Sequence, residues 1–346
     1  MGLSRPPRAI TIDDVAEKAG VSAKTVSRVL NNEPNVRPAK RELVMKAARD
    51  LGYRPNPAAR SLAGARSFLI AHLHDNPVPE YITAVNSGIY QACRAHGYFL
   101  LPEPVDRNAP DFLDRLQSFL MTSRADGVVL TPPLCDDPQV LALLKDNATN
   151  YASLSPARQP ENTPVMRLDD RQAAKEIVRH LNGFGHRRIA FIAGPPGHNA
   201  STGRLEGFLD AMDEAGLSVT PDMITEGDYS LRSGLEAARR LIATNPRPSA
   251  IFAANDDMAV GAMTAIMAAG LQIPADLSVA GFDDTRLASA VWPALTTIRQ
   301  PVSEMGRRAA ERLMSSDDAD HLEEVFDFEL IVRQSTGASS EPPGHG

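Results

Sequence analysis

Between Ala23 and Leu30 the chain reads Ala-Lys-Thr-Val-Ser-Arg-Val-Leu, and three kinds of chemistry sit within six of those residues. Ala23 is small enough for close approach, Thr25 and Ser27 carry hydroxyl donors and acceptors, and Lys24 and Arg28 carry positive charge. If the stretch is helical, Val26, Val29 and Leu30 share one face and the other five residues fall elsewhere. A short, polar and basic helix face suits the major groove, where such side chains meet base edges and phosphates. Taken alone, it would also suit the solvated face of an ordinary helical hairpin.

A second set of polar residues follows short apolar runs further along the chain. Arg204 follows the loop GPPGHNASTG, Asn255 and Asp256 end AIFAA, and Asp283 and Asp284 end SVAGF. Side chains at the carboxyl ends of parallel strands converge on a crevice, where paired donors and acceptors suit vicinal hydroxyls. Asp256 and Asp284 also precede predicted helices, so either is equally a helix cap. Tyr229, in EGDYS, stacks on a sugar ring or covers a strand end. In HLHDNPVPEYI, Asp75 and Asn76 are hydroxyl-binding candidates at the end of a first strand. His72 and His74 alternate onto one face of that strand, but no further Cys or His converges on them, so neither a metal nor another cofactor is expected.

The groove-facing residues need a scaffold, and the flanking sequence supplies one. Thr11 and Asp14 form a capping box that starts a helix near Ile12, with Val15, Ala16 and Ala19 as its apolar stripe. Gly20 ends that helix and Ser22 can cap the next. A third helix is predicted over Pro38–Leu51, burying Leu43, Val44, Ala47, Ala48 and Leu51. Two prolines at 55 and 57 break the pattern, and Ala58–Ala63 would make barely two helical turns, too few to stand alone in water.

From Ser67 onward, apolar runs alternate with amphipathic segments, the pattern of strand-helix repeats on a parallel sheet. Strands are predicted near Phe68–Leu73, Tyr98–Leu101, Gly127–Leu130, Tyr151–Leu154 and Val165–Leu168, with helices near Ile82–Ala95, Asp111–Ser123 and Pro138–Asp146. A second series has strands near Arg188–Ala193, Met223–Glu226, Ala250–Ala253 and Ser278–Phe282. Its helices fall near Thr202–Ala215, Leu231–Ala243, Asp257–Ala269 and Val302–Ser315. Two such series imply two lobes facing a cleft.

The net charge of −7 would argue against nucleic acid if it were spread evenly. It is not: residues 1–66 hold 13 Lys+Arg against 6 Asp+Glu, whereas residues 67–346 hold 23 against 37. A basic head on an acidic body is expected where one small domain meets phosphate. No apolar run approaches the roughly 20 residues of a membrane span, and the start of the chain has no hydrophobic signal core. Cys93 and Cys135 are far apart, without ligand spacing, and read as reduced core thiols. A cytoplasmic protein without a membrane partner is expected. The phosphate-loop, dinucleotide, nucleophile-elbow and HExxH signatures are all missing from the sequence, so no enzyme is expected.

The run from Thr11 to Ala63 resembles the head and hinge of the lactose-repressor (LacI/GalR) family of bacterial transcription regulators. The likeness lies in AGVSxxTVSRVLN, LGYxPN and ARSLA. It continues at lower density through GHRRIAFIAGP, STGRLEGF, AANDDMAVGAM, SVAGFDDT and LTTIRQP. The resemblance implies a helix-turn-helix head, a hinge helix, and a two-lobed periplasmic-binding-protein-like α/β body with parallel sheets. It implies groove-reading roles for Ala23, Lys24, Ser27 and Arg28, a phosphate contact near Thr25, and further DNA-contacting positions at Thr11 and Asn31. In a dimer, Leu62 would wedge into the minor groove beside Ala59; the alternative for Leu62 is a linker leucine against the body. Arg37 departs from the family, which more often has a small polar cap there. Arg204, Asn255 and Asp283 match ligand-contacting positions, and Gln300 and Tyr229 match more loosely.

The expected domains are the head (1–56), hinge and linker (57–66), body (67–336) and a disordered tail (337–346). Within the body the N-lobe is expected at about 67–168 plus 286–298, and the C-lobe at about 169–285 plus 299–336. Lacking leucine heptads, the tail implies a homodimer, which two-fold operator reading also requires. The expected partners are a double-stranded DNA operator, a small effector such as a sugar or sugar derivative, and a second copy of the chain.

Overall fold

The computed structural model describes residues 10–30, 36–53, 66–315 and 322–339 of the 346. The chain divides into two compact units, Met1–Phe68 and Leu69–Gly346.

The first unit holds α1 (Ile12–Ala19), α2 (Ala23–Leu30) and α3 (Pro38–Leu51). Local chemistry sets their ends. Thr11 and Asp14 make the reciprocal capping box, and Gly20 and Gly52 close α1 and α3 in the left-handed conformation. Val15, Val26, Val29, Val44, Ala47 and Ala48 are buried together. Leu43 is a correction: it is 53% exposed, because the stripe of α3 runs through Val44, Ala47 and Ala48 and leaves the preceding residue a hundred degrees off the core. Arg37 occupies the cap position of α3 without a side-chain cap, as its departure from the family suggested. Asn31, Ala59, Leu62 and most of the expected hinge lie outside the described residues.

The second unit has two lobes. In the N-lobe run β1 (Leu69–His74), α4 (Pro79–His96), β2 (Phe99–Pro104), α5 (Phe112–Ser123), β3 (Gly127–Leu130), α6 (Pro138–Asp146), β4 (Tyr151–Leu154) and β5 (Val165–Leu168). The C-lobe begins with α7 (Asp170–Gly183) and continues through β6 (Ile189–Ala193), α8 (Asn199–Glu214), β7 (Ile224–Glu226), α9 (Leu231–Ile242), β8 (Ala250–Ala253), α10 (Asp256–Ala268) and β9 (Ser278–Ala280). After it come α11 (Arg286–Ala290), β10 (Thr297–Arg299), α12 (Val302–Met314), β11 (Glu323–Phe326) and β12 (Glu329–Ile331).

The N-lobe sheet has the order β11-β5-β4-β3-β1-β2 and the C-lobe sheet the order β7-β6-β8-β9, with every neighbouring pair parallel. The central strands β3, β6 and β8 are apolar runs buried on both faces, as helix-covered parallel strands must be, while the edge strands β2, β7 and β11 are partly exposed.

The late part of the chain corrects the expected lobe boundaries. Residues 286–298 belong to the C-lobe: Ala288, Leu295 and Ile298 lie in its core, and Thr296 bridges Ala280. The chain then crosses back, so α12 and β11, expected in the C-lobe, build the N-lobe. There β11 pairs with β5, and α12 crosses α4 so closely that a Cβ on Gly88 would stand 1.7 Å from the carbonyl oxygen of Ser303. It returns once more to pair β12 antiparallel with β10.

Two further differences stand out. Helix α7 fills a stretch for which no element was predicted; Asp169 caps it, and Ala173, Ala174, Ile177, Val178 and Leu181 bury its stripe. The expected disordered tail begins too early at 337. Gly337 donates to Ser278 Oγ and Ser339 to the carbonyl of Phe184, so these backbone groups are paired onto the C-lobe.

Candidate functional site

In the head, α2 turns Val26 and Val29 into the core and leaves Lys24 exposed, with Ala23, Thr25, Ser27 and Arg28 half-buried around it. Ser22 starts the helix by accepting the Thr25 N–H at 3.3 Å, and the two hydroxyls lie 3.0 Å apart. Thr11 is held by its cap: its N–H and hydroxyl both donate to Asp14 Oδ2, at 2.7 and 2.9 Å. The five α2 residues therefore sit on one rigid helix whose opposite face is anchored.

In the body, a pocket with a cavity volume of about 50 Å³ opens between the lobes. Asn76, Val78, Tyr81 and Ser155 reach it from the N-lobe. Asp170, His198, Arg204, Tyr229, Asn255 and Asp283 reach it from the C-lobe, and Gln300 from the crossover. Six of the seven proposed ligand residues are thus brought to one cavity. Asp75 is not among its lining; its Oδ2 accepts from Arg107 Nε at 2.9 Å instead.

Arg204, 5% exposed, is the centre of the pocket's electrostatics. Its Nε–H donates to Asp170 Oδ1 at 2.8 Å and an Nη1–H to the carbonyl of Ala254 at 2.6 Å, while Asp283 Oδ1 stands 3.7 Å from Nη1. Burial works against its charge, but Asp170 and Asp283 more than compensate and hold it above the ordinary guanidinium range. Burial pushes both carboxyls the other way, outweighing Arg204: Asp170 is raised, and Asp283 is pushed up to about 7.

The loops around Arg204 are held in costly conformations. Asp283, Asp284 and Tyr229 have φ of 122°, 55° and 69°, each a strain on the order of 1–3 kcal/mol for a residue with a side chain. What holds them is visible. Gln300 Nε2 donates to Asp283 Oδ1 at 2.6 Å, and the Asp283 N–H donates to the carbonyl of Ile298. Asn255 caps α10 by accepting the Met258 N–H at 3.0 Å, and its Nδ2 donates to the carbonyl of Tyr229. The Tyr229 ring then lies so close over Gly194 that a Cβ there would meet Cζ at 2.4 Å.

Asp256 and Asp284 are neither caps nor lining of this pocket. Fully buried Asp256 accepts from the Thr285 N–H and hydroxyl and, at 2.6 Å, from the Thr297 hydroxyl, a clamp beneath the strained turn. Asp284 pairs with Arg299 and Arg333. His72, buried in β1, shares hydrogens with Asn86 Oδ1 at 2.7 Å and the Thr131 hydroxyl at 3.4 Å, and burial lowers its pKa to about 4. Among the described residues no group of three or more His, Cys, Asp or Glu is placed to hold a metal ion. Cys93 and Cys135 are buried and free, and among the described residues no helix is long and apolar enough to cross a membrane.

Tyr81, Ser155, Asp170 and His198 were missed as lining. The runs that carry them were readable as a helix, a strand end and a loop, but nothing local shows that they meet.

A helix-turn-helix unit carried in one chain with a two-lobed α/β unit that encloses a polar pocket defines a ligand-responsive DNA-binding regulator. Comparison with known proteins gives the family. Residues 11–56 match the profile of bacterial regulatory proteins of the lacI family, and residues 178–336 match that of a periplasmic binding protein-like domain. Catabolite control protein A of Priestia megaterium is 32% identical over 333 residues, covering 94% of this chain and 99% of that protein. A crystal structure of the lac repressor dimer bound to operator and the anti-inducer ONPF is 31% identical with a TM-score of 0.77, covering 96% of this chain and 100% of that one. A complex of the transcriptional regulator CelR with cellobiose is 30% identical with a TM-score of 0.72, covering 94% and 99%. The chain belongs to the lacI family, and it is a DNA-binding transcriptional regulator.

Proposed function

We propose that the protein is a homodimeric repressor that holds a near-palindromic operator and is released when a small carbohydrate occupies the pocket between its lobes. The observation that carries the ligand half is the pairing at Arg204 and Asp283. Arg204 Nη2 and Asp283 Oδ2 have no hydrogen-bond partner among the described residues, although both atoms belong to side chains pinned in place. Arg204 and Asp283 approach within 3.7 Å through Nη1 and Oδ1, so one buried, pre-ordered site offers a hydroxyl both a donor side chain and an acceptor side chain. The similarity to the CelR–cellobiose complex supports a sugar, and the similarity to the lac repressor dimer on its operator supports two-fold reading of DNA.

On this reading Arg28 and its neighbours on α2 select the operator, with Thr11, Asn31, Ala59 and Leu62 as further DNA contacts. Asn76, Arg204, Tyr229, Asn255, Asp283 and Gln300 hold the effector. Effector and operator each favour a different state of the protein, so each weakens the other by one coupling factor.

The test is operator affinity at fixed salt, using a duplex selected from a random pool, with and without a panel of sugars, sugar phosphates and purines. Release by a sugar is expected. Tighter binding in the presence of a purine would replace the inducer with a corepressor.

A further inference from the structure

We infer that the pocket selects an uncharged polyol and turns away anionic ones, because the positive charge lining it is already matched by carboxylates. The inference rests on the carbohydrate reading above and narrows it. Arg204 is the one Lys or Arg in the lining, and it is committed on several sides: to Asp170 at 2.8 Å, to the Ala254 carbonyl at 2.6 Å, and to Asp283 at 3.7 Å. The ring of Phe282 lies 3.6 Å from its guanidinium carbon and offers its negative face.

Among the described residues no second cation is in reserve: Arg167, whose charge reaches Asp170, donates to Glu323 and to the carbonyl of Pro156. Burial lowers the pKa of His198, and Arg107 and Arg204 lower it further, so its ring is neutral near pH 7. Arg107, beyond the lining, is held by Asp75 at 2.9 Å and stands 3.7 Å from Asp137. With Asp170 ionised in its pair with Arg204, the charges of Arg204, Asp170 and Asp283 sum to zero or less in either state of Asp283.

An incoming carboxylate or phosphate would meet one guanidinium and two carboxyls in low-dielectric surroundings. A hydroxyl can accept from Arg204 and donate to Asp283. The rest of the polar lining is neutral and can serve the same ring: Asn76 spends its Oδ1 on the Val78 N–H and leaves an amide to donate, and Ser155 offers a hydroxyl.

The experiment is titration calorimetry and thermal unfolding of the full-length protein against matched sets: glucose with glucuronate and glucose 6-phosphate, galactose with galacturonate, and ribose with ribose 5-phosphate. A neutral sugar is expected to bind, with its anionic counterparts at least about tenfold weaker. Asp283→Asn should narrow that gap at least threefold, and Asp170→Asn provides the same readout if the first variant fails to fold. An anion that binds as tightly as its neutral counterpart overturns the charge selection and leaves the cleft a carbohydrate site. If no member of any set binds the folded wild-type protein, the carbohydrate reading itself falls, and this inference with it.

Discussion

The candidate sites of head and body are built in opposite ways. The head presents its candidate residues on the outer face of one eight-residue helix, above a core of small aliphatic side chains. The body buries its chemistry: Arg204, Asp170 and Asn255 are each less than a tenth exposed, and the same side chains that would touch a ligand also hold strained loops. An exposed face can be changed without disturbing the fold beneath it. A buried ionic site cannot, because each charge removed strands another.

The largest effect expected from this difference is at Arg204. Arg204→Ala leaves Asp170 and Asp283 without their cation and should cost about 3–5 kcal/mol of body stability along with all effector binding. Urea unfolding followed beside calorimetry would show both losses together; loss of binding with stability intact would erase the distinction between the two regions. Next comes Arg28→Ala, expected to weaken specific operator binding by about 1–3 kcal/mol while effector affinity and body unfolding stay unchanged. A gel-shift series against specific and random duplexes measures it.

Asp283 sharpens the contrast through pH. Burial raises its folded pKa to about 7, above the ordinary carboxyl range. Its contribution to stability is therefore fully present below the unfolded pKa and lost as pH rises through 7. Asp283→Asn removes that loss, so its melting temperature relative to wild type should rise by at least about 3 °C between pH 5 and pH 8. The smallest effect lies within the head: Val44→Ala, at a fully buried site, should cost about 1–2 kcal/mol, whereas half-exposed Leu43→Ala should stay within about 0.5 kcal/mol. Denaturation of the isolated pair of variants in the full chain would separate them.

The same contrast explains what could be read from the sequence. The three head helices follow from chemistry within four residues: Thr11 with Asp14, Ser22 with Thr25, and glycines at 20 and 52 that stop α1 and α3. Nine of the twelve described strands of the body, β1 to β9, were legible from runs such as Ala250–Ala253, which has no polar face and must be buried, whereas the short and partly exposed β10, β11 and β12 were not predicted. The stripe of α7 is equally plain in the sequence, although no helix was predicted there. The lobe boundaries were not local. That α12 and β11 return to the N-lobe depends on Glu323–Phe326 pairing with Val165–Leu168, more than 150 residues earlier. Arg204, Asn255 and Asp283 could be found because each follows a strand. Asp75 was misplaced because its partner, Arg107, stands 32 residues away in sequence.

The account stands on reciprocity between the two units. The most direct measurement is the affinity of an inducing sugar for the full-length protein, once free and once saturated with operator at the same salt. The sugar should bind the operator complex more weakly, by the same factor by which it weakens operator binding. Equal sugar affinity in both states would contradict the account, since a ligand indifferent to bound DNA cannot release it.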